Sequence, residues 1–318
     1  MTKKARRTIF YVFLGVFIIL VPMIIFYALG YAFDFAKRTV SATGGIYLKS
    51  LPSGANIYLN GKPAGKTSKF IRRLAPKIYN IILTKEDYYP WEKNLTVEPE
   101  LVAKAENILL IPSNPQISLV ATESTDYSWF ETKITSPSYY LSGANLYETK
   151  TGRILVKNAG NFVIYKDGLI YLDNTTGKIF ELDLTSLKSA EIFDRVFPSL
   201  NKGKWILSGD NKKLLCQKDK SVEILWLDNV INNSIIHKKG DLEKINFEQT
   251  ISQVIWYPRT DEHLVIAADN SIIVTELDNR LPRNTFTFIS TEKPEIKYNT
   301  DQKMLYFYTQ KKLYQTEL

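Results

Sequence analysis

The stretch PSGANIYLNGKPAGKT, residues 52–67, combines short β-type runs with tight turns. Residues 52–55 form a predicted turn, and residues 55–59 show the alternation that is typical of a strand. Asn60-Gly61 follows, which is the strongest two-residue hairpin signal because both residues tolerate a positive φ. Residues 63–65 form a second predicted turn. The stretch therefore predicts a tight hairpin in an all-β setting.

Predicted strands lie on both sides of this hairpin, at residues 46–48, 78–84, 95–97 and 107–111. In the longest of them, Tyr79, Ile81 and Leu83 share one face, because successive side chains of a strand point to opposite faces. One face of the sheet is thus apolar enough to form a core. We predict a small β-sandwich over residues 45–113.

A series of short motifs follows in order along this region: P-x-G-A at 52–55, N-G-K at 60–62, G-x-T at 65–67, L-x-P at 74–76 before Tyr79, and an aromatic element at 88–91. Together they resemble the PEGA domain of bacterial and archaeal envelope proteins. Ser68, Lys77 and Asp87 depart from the pattern, which leaves details of the turns open. The resemblance implies a small β-sandwich without catalytic activity that serves as a spacer or binding module at the cell surface.

The run from Gly61 to Thr67 also has the look of a phosphate-binding loop. Its glycines are separated by three residues, however, whereas that loop requires four and must lead from a strand into a helix. Pro63 also removes one backbone amide that a phosphate would need. The sequence therefore argues against nucleotide binding.

The predicted sandwich contains a basic cluster with no acidic residue between its ends: Lys62, Lys66, Lys69, Arg72, Arg73 and Lys77. One hypothesis is a patch that binds an anionic polymer or the membrane surface. The alternative is an ordinary solvated hairpin face. Tyr88, Tyr89 and Trp91 are candidates for stacking on carbohydrate rings, with packing in the sandwich core as the alternative.

An apolar run without any charged residue begins at Thr8. As a helix it is long enough to cross a hydrocarbon core of about 30 Å. We predict a transmembrane helix over residues 8–35, preceded by a cytoplasmic basic tail at 1–7 and followed by a linker at 36–44. A signal peptide cleaved after Ala42 stays open as an alternative, although the apolar run is longer than the h-region of such peptides.

The residues that precede the apolar run are basic at four positions: Lys3, Lys4, Arg6 and Arg7. The positive-inside rule then places the N-terminus in the cytoplasm and the remainder of the chain outside the cell. We therefore expect a single-pass protein of the cell membrane.

The whole chain of 318 residues carries 41 Lys and Arg against 33 Asp and Glu, a net charge of +8. Most of this excess lies in the first 40 residues, and the remaining 278 residues carry only +3. Because a nucleic-acid-binding protein would be expected to spread its basic residues across a folded binding face, we expect no nucleic-acid partner. One cysteine excludes an internal disulfide, and two histidines with one cysteine fall short of a structural zinc site. We expect no metal and no cofactor.

Residues 116–318 show no helical period and instead repeat short β-type runs separated by turn pairs. Leu214, Leu264 and Leu305 occupy equivalent places in three copies, at spacings typical of propeller blades. The copies weakly resemble WD-type and TolB-like propeller repeats. We predict a propeller-like domain of about five blades, whose last blade takes a strand from residues 117–120. An irregular pair of β-sandwiches is the alternative.

These observations predict an all-β ectodomain, a small β-sandwich followed by a β-propeller-like domain, behind one N-terminal transmembrane helix. No nucleophile elbow is present, and His237 and His263 have no partner at metal-ligand spacing. We expect a non-catalytic binding or scaffolding protein of the cell envelope whose partner is an envelope protein or a cell-wall polymer. The alternatives are a glycan-active or other hydrolytic enzyme with its site on the propeller face, and a receptor subunit that acts through a membrane partner.

Overall fold

A computed structural model describes residues 3–34, 39–122, 138–233, 235–258 and 260–318. The chain forms two units. The first comprises Met1–Leu110 together with Asn279–Arg283, and the second comprises Ile111–Asp278 together with Asn284–Leu318.

The first unit begins with helix α1 (Lys3–Ala28), followed by the antiparallel pair β1 (Tyr31–Asp34) and β2 (Thr39–Ala42). The predicted helix over 8–35 thus starts too late and ends too late, and residues 39–42 of the predicted linker form β2. The helix stops because Gly30 adopts φ +84, a left-handed position that terminates helices. The Thr43 amide and hydroxyl both donate to the Gly30 carbonyl, which fixes the hairpin against the helix end.

The rest of the first unit is a β-sandwich, as predicted. Its two sheets have the strand orders β6-β3-β9 and β5-β4-β7-β8; β3 and β9 are parallel, and the other pairs are antiparallel. The strands are β3 (Gly44–Leu51), β4 (Asn56–Leu59), β5 (Lys62–Lys66), β6 (Lys69–Leu74), β7 (Ile78–Thr84), β8 (Trp91–Thr96) and β9 (Val102–Leu109).

The sandwich core forms where the inward faces of both sheets meet. Tyr79, Ile81 and Leu83 of β7 are buried on one face, as their alternation predicts, and they pack with Ile46 and Leu48 of β3. A sheet that alternates in this way buries one face and leaves the other to solvent.

A buried lysine lies on the inward side of β8. The alternation of that strand puts Lys93 in register with Trp91 and Leu95, and all three are buried. The Lys93 ammonium donates to the carbonyl oxygens of Arg280 and Pro282, at 2.8 and 2.9 Å, within the same unit. A buried ammonium is tolerated only where such acceptors replace water.

The P-x-G-A and G-x-T motifs meet at one buried hydroxyl. Thr67 Oγ1 accepts from the Ala55 amide at 3.1 Å and lies 2.6 Å from the Ser50 hydroxyl. The Thr67 backbone adds two hydrogen bonds, since its carbonyl accepts from the Gly54 amide and its amide donates to the Ala55 carbonyl. We call these hydrogen bonds of Thr67 the Thr67 clasp. The threonine of the motif therefore holds the turn against the chain that leaves β5.

Replacing Thr67 by valine is expected to destabilise the first unit by about 1–3 kcal/mol, because the buried Ala55 amide and Ser50 hydroxyl lose a partner while the volume hardly changes. Denaturant unfolding of the purified protein measures the change. Ser68→Ala is the matched control, because Ser68 is exposed and adjacent. Equal stability of Thr67→Val and Ser68→Ala would contradict this account of the motif.

The second unit contains only strands and one short 3-10 helix, η1 (Pro198–Asn201), within the described residues. Its strands are β10 (Ser118–Thr122), β11 (Tyr139–Ser142), β12 (Asn145–Glu148), β13 (Ile154–Lys157), β14 (Ala159–Tyr165), β15 (Gly168–Asp173), β16 (Ile179–Asp183), β17 (Ser189–Glu191), β18 (Lys204–Leu207), β19 (Lys213–Gln217), β20 (Ser221–Trp226), β21 (Val230–Asn232), β22 (Ile235–His237), β23 (Leu242–Asn246), β24 (Ile251–Trp256), β25 (His263–Ala268), β26 (Ser271–Glu276), β27 (Thr285–Ser290), β28 (Glu295–Asn299), β29 (Met304–Thr309) and β30 (Lys312–Glu317).

These strands form consecutive antiparallel sheets of the kind found in propeller blades. Their orders are β11-β12-β13, β14-β15-β16-β17, β18-β19-β20-β23, β24-β25-β26-β27 and β10-β30-β29-β28, with β21-β22 as a side hairpin. Leu214, Leu264 and Leu305 lie in β19, β25 and β29, and all three are fully buried. The all-β, propeller-like fold class is thus confirmed, including the first strand that completes the last sheet.

Candidate functional site

The six basic residues singled out in the sequence form what we call the basic face: Lys62, Lys66, Lys69, Arg72, Arg73 and Lys77. All six side chains are exposed. The first two lie in β5, the next three in β6, and the last just before β7. Strands β5 and β6 are the edges of their respective sheets, so the basic face covers both edges.

The local sequence brings the two edges together. Asn60 and Gly61 have φ +48 and +76, which forms the predicted tight turn into β5. Gly65, at φ +110, lies under the Lys69 side chain so closely that a Cβ at Gly65 would stand 2.5 Å from the Lys69 ammonium. The Lys69 stem therefore crosses from β6 to β5 over a glycine.

A bulge in β6 turns Arg73 out of the regular pleat. Ile71 pairs with Ile46 and Leu74 with Gly44, so β6 has one residue more than β3 between these pairs. Arg73 occupies the bulge with φ +58, a left-handed conformation that costs a non-glycine residue roughly 1–2 kcal/mol. A glycine at position 73 would adopt this backbone conformation with less strain.

The bulge aims Arg73 at the last turn of α1. Its guanidinium carbon lies 3.8 Å from the centre of the Tyr27 ring, and the group also donates to the Tyr27 hydroxyl. Arg72 lies 5.0 Å from the ring of Phe70, which is partly exposed. Within the described residues, none of the six basic side chains forms an ion pair with a carboxylate, so the positive charge of the face is not neutralised.

Burial removes one of the three aromatic candidates for carbohydrate stacking. Trp91 is 2% exposed and belongs to the sandwich core, so the stacking hypothesis is wrong for this residue. Its position is dictated by the inward side of β8 and by the large apolar area of an indole. Tyr88 packs against the same core and is half-buried, as is Tyr89.

The four basic residues at the N-terminus, Lys3, Lys4, Arg6 and Arg7, are exposed on the first two turns of α1. The predicted tail at 1–7 is therefore mostly helical. The apolar side chains that follow them on the helix are exposed along its length, and the helix is long and apolar enough to cross a membrane. Membrane anchors and signal sequences share this property.

A second cluster, which sequence reasoning missed, surrounds Lys213 in the second unit. The Lys213 ammonium lies 3.1 Å from Glu262 Oε1 and 3.4 Å from Asp210 Oδ2, and its side chain is 1% exposed. Asn232 donates to the other oxygen of Glu262. The backbone amides of Gly209 and Asp210 donate to the Asp261 carboxylate at 3.1 and 2.9 Å. The cluster ties the turn before β19 to the turn before β25.

The environment of this cluster shifts its two paired carboxyls in opposite directions. Burial raises the pKa of Glu262 to about 7, although the Lys213 ammonium acts in the opposite sense. Burial also acts to raise the pKa of Asp210, but hydrogen bonds from the Ser208 hydroxyl and the Lys212 amide, with the charge of Lys213, hold it below its ordinary value. Because these groups satisfy one another, we interpret the cluster as a buried link between neighbouring sheets.

The raised pKa of Glu262 predicts a pH dependence of stability. Between the ordinary value near 4.5 and about 7, folded Glu262 keeps a proton that the unfolded chain releases, so its contribution to stability is lost as pH rises through this window. Raising the pH from about 5 to about 8 should therefore lower the free energy of unfolding of the wild type more than that of Glu262→Gln, by on the order of 2 kcal/mol. Denaturant unfolding at both pH values tests this; parallel pH profiles would contradict it.

The histidines and the cysteine occupy buried positions. His237 stacks on Trp226 with ring centres 4.0 Å apart, and burial lowers its pKa. His263 packs edge-on against Tyr257. Burial raises the pKa of Cys216 to about 11, which keeps the thiol protonated and unreactive. Among the residues the structure describes, no three His, Cys, Asp or Glu side chains are grouped as metal ligands would be.

A groove of about 460 Å³ in the second unit has a mixed charged lining. Its carboxylates are Glu181, Asp210 and Asp228, and its ammonium groups are Lys166, Lys212 and Lys239. Its size is in the range of small-ligand pockets, but its lining is more polar than is usual for them.

Comparisons with solved structures find remote likenesses. An oligogalacturonate lyase in complex with manganese is 13% identical over 52% of this chain and 52% of its own, with a TM-score of 0.37. The extracellular domain of a protein described as a hybrid two component system from B. thetaiotaomicron is 8% identical over 90% of this chain and 31% of its own, with a TM-score of 0.36. A β-propeller domain from Myceliophteria thermophila is 12% identical over 77% of this chain and 68% of its own, with a TM-score of 0.33.

This chain thus spans about half the length of the lyase and about a third of the extracellular domain. At these TM-scores the likenesses carry no inference about activity. No curated protein matches this chain in sequence. One family pattern does match, that of the PEGA domain, over residues 43–109. The match coincides with the strands β3 to β9 and with the Thr67 clasp that joins its motifs. Residues 43–109 are a PEGA domain.

Proposed function

We propose that this protein is a membrane-anchored, non-catalytic binding or scaffolding protein of the cell envelope. In this proposal α1 stays in the membrane, and the PEGA domain and the propeller-like unit lie outside the cell. One observation carries it: an apolar helix with exposed side chains leads, through a single hairpin, directly into a PEGA domain.

The exposure of the helix supports an anchor. Phe13, Phe17 and Ile19 are each more than half exposed, and the described residues of both units leave this apolar surface uncovered. Apolar surface on this scale, along a whole helix, is stable only in a lipid environment or against a partner. The basic residues ahead of it favour an N-terminus in the cytoplasm.

Cysteine labelling tests the anchor and its orientation together. The native Cys216 is buried with a raised pKa, so it provides a silent background for maleimide reagents. Two single replacements serve as reporters: Ala5→Cys at the start of α1 and Ser53→Cys at an exposed turn of the PEGA domain.

We expect a membrane-impermeant maleimide, applied to intact cells, to label Ser53→Cys and not Ala5→Cys. Ala5→Cys should become labelled only after the membrane is permeabilised, and both proteins should stay in the membrane fraction at full length. Release of a shortened protein would show a cleaved signal peptide, and protection of Ser53→Cys would reverse the orientation; either result would overturn the proposal.

The charged groove in the second unit favours a second candidate, an enzyme that acts on a polar substrate such as a glycan. Glu181, Asp210 and Asp228 place three carboxylates in one groove, which is the residue type that glycoside hydrolysis uses. Incubation of the protein with isolated cell-wall glycan tests this candidate. If the protein is such an enzyme, it should release product from the glycan, and Glu181→Gln should abolish that release. Without product release the non-catalytic proposal stands.

A further inference from the structure

The contact between Arg73 and Tyr27 fixes the height of the basic face along α1. Tyr27 is the residue before the last one of the helix, and Thr8 lies about 30 Å below it at 1.5 Å per residue. This distance equals the thickness of the hydrocarbon core, so Tyr27 belongs at the level of the lipid headgroups. Arg73, stacked on its ring, lies at the same level.

From these observations we infer that the basic face of the PEGA domain binds the phosphate groups of anionic lipids in the outer surface of the membrane that α1 spans. The inference rests on the proposed membrane anchor and names the partner of this face. A lipid headgroup supplies what the face lacks, since its six cations have no carboxylate partner among the described residues.

Apolar side chains beside the basic ones distinguish a lipid surface from a soluble polymer. Phe70 is 39% exposed between Lys69 and Arg72, and Ile78 is 64% exposed next to Lys77. Interleaved cations and apolar groups suit an interface in which phosphates lie above acyl chains. An anionic cell-wall polymer would interact favourably with the cations but not with the exposed Ile78 side chain.

The backbone strain at Arg73 supports a role for its side chain in holding the basic face against α1. Its left-handed backbone is strained, yet the side chain makes its contact with the helix rather than with the sandwich core. The helix also tethers the face to the membrane, which raises the local concentration of lipid headgroups around it. Weak contacts between single cations and lipid phosphates are therefore sufficient to hold the basic face on the membrane surface.

The test uses the full-length protein in lipid nanodiscs. Ser68→Cys, exposed between Lys66 and Lys69, carries an environment-sensitive fluorophore, and Cys216 stays unlabelled because it is buried. Glu86→Cys, at the opposite end of β7 from Lys77, is the matched control position. Discs of pure phosphatidylcholine are compared with discs containing roughly one third phosphatidylglycerol, a composition that gives an anionic surface.

We expect the probe at Ser68→Cys to report an apolar environment in the anionic discs and not in the neutral ones, while the probe at Glu86→Cys does not change. Arg72→Gln should reduce the docking equilibrium about fivefold, as expected for one cation near an anionic surface. The triple reversal Lys69→Glu, Arg72→Glu and Arg73→Glu should abolish the signal. Lys150→Glu, Lys157→Glu and Lys303→Glu, the same charge change at exposed lysines of the second unit, should not.

The outcomes separate this inference from the proposal on which it rests. A protein that elutes with the discs but gives equal signals in both lipids overturns the inference alone. A protein that elutes apart from the discs overturns both the anchor and the inference. A probe that responds to isolated cell wall and not to anionic lipid assigns the face to a polymer, and the lipid inference is then wrong.

Discussion

Lys213→Met is expected to destabilise the second unit by about 3–5 kcal/mol, the usual cost of removing one partner of a buried ion pair. The replacement leaves the Glu262 carboxylate buried without the Lys213 ammonium, which lies 3.1 Å from it in the native protein. Because burial raises the pKa of Glu262 to about 7, the carboxyl can take up a proton instead. The loss should therefore be smaller at about pH 5 than at about pH 8.

Denaturant unfolding at both pH values measures this effect. Lys212→Ala is the matched control, because Lys212 is adjacent and exposed, and it should change stability by less than about 0.5 kcal/mol. The double replacement Lys213→Met with Glu262→Leu should recover much of the loss, since it removes the orphaned charge as well. A Lys213→Met protein as stable as Lys212→Ala would show that the cluster is not a structural link.

Trp91→Ala is expected to destabilise the PEGA domain by about 3–5 kcal/mol. The indole is 2% exposed and fills the space between the two sheets, so its removal leaves a cavity that the sandwich cannot close. Trp91→Phe should lose less, because it keeps an aromatic ring in the core. The effect should appear as faster amide hydrogen exchange in β3 and β7, whose inward residues pack in the same cluster.

Ile78→Ala is the control for this replacement. Ile78 lies in the same domain but is 64% exposed, so its truncation should change stability by less than about 1 kcal/mol. If Trp91→Ala left amide hydrogen exchange in β3 and β7 unchanged but weakened carbohydrate binding, Trp91 would be a stacking residue and not a core residue.

Local rules predicted the PEGA domain well. The Asn60-Gly61 turn and the alternation in β7 depend on neighbouring residues only, and both appear in the structure as the sequence predicts. The match of the family pattern over residues 43–109 agrees with the motifs from which the resemblance was drawn. The same alternation, continued along β8, places Trp91 and Lys93 inward, yet a lysine is ordinarily assigned to the surface.

Contacts between distant segments were not predictable in this way. Lys213 and Glu262 come together because two consecutive blade-like sheets bring their turns close. No pattern in the sequence links the two residues. The contact of Arg73 with Tyr27 depends on a bulge in β6, and a single extra residue in one strand leaves no periodic signal. The end of α1 at Ala28, before Gly30, was missed because the apolar run continues beyond it into β1.

The pairing of β10 with β30 has a consequence for how the protein is made. Ser118 pairs with Gln315, so about 200 residues must emerge before the last sheet can close, and such long-range pairing is slow to form. Until then β10 is an open strand edge that exposes the apolar side chains of Leu119 and Val120. A circular permutant that joins residue 317 to residue 118 would make this pairing local, so we expect its last sheet to close sooner.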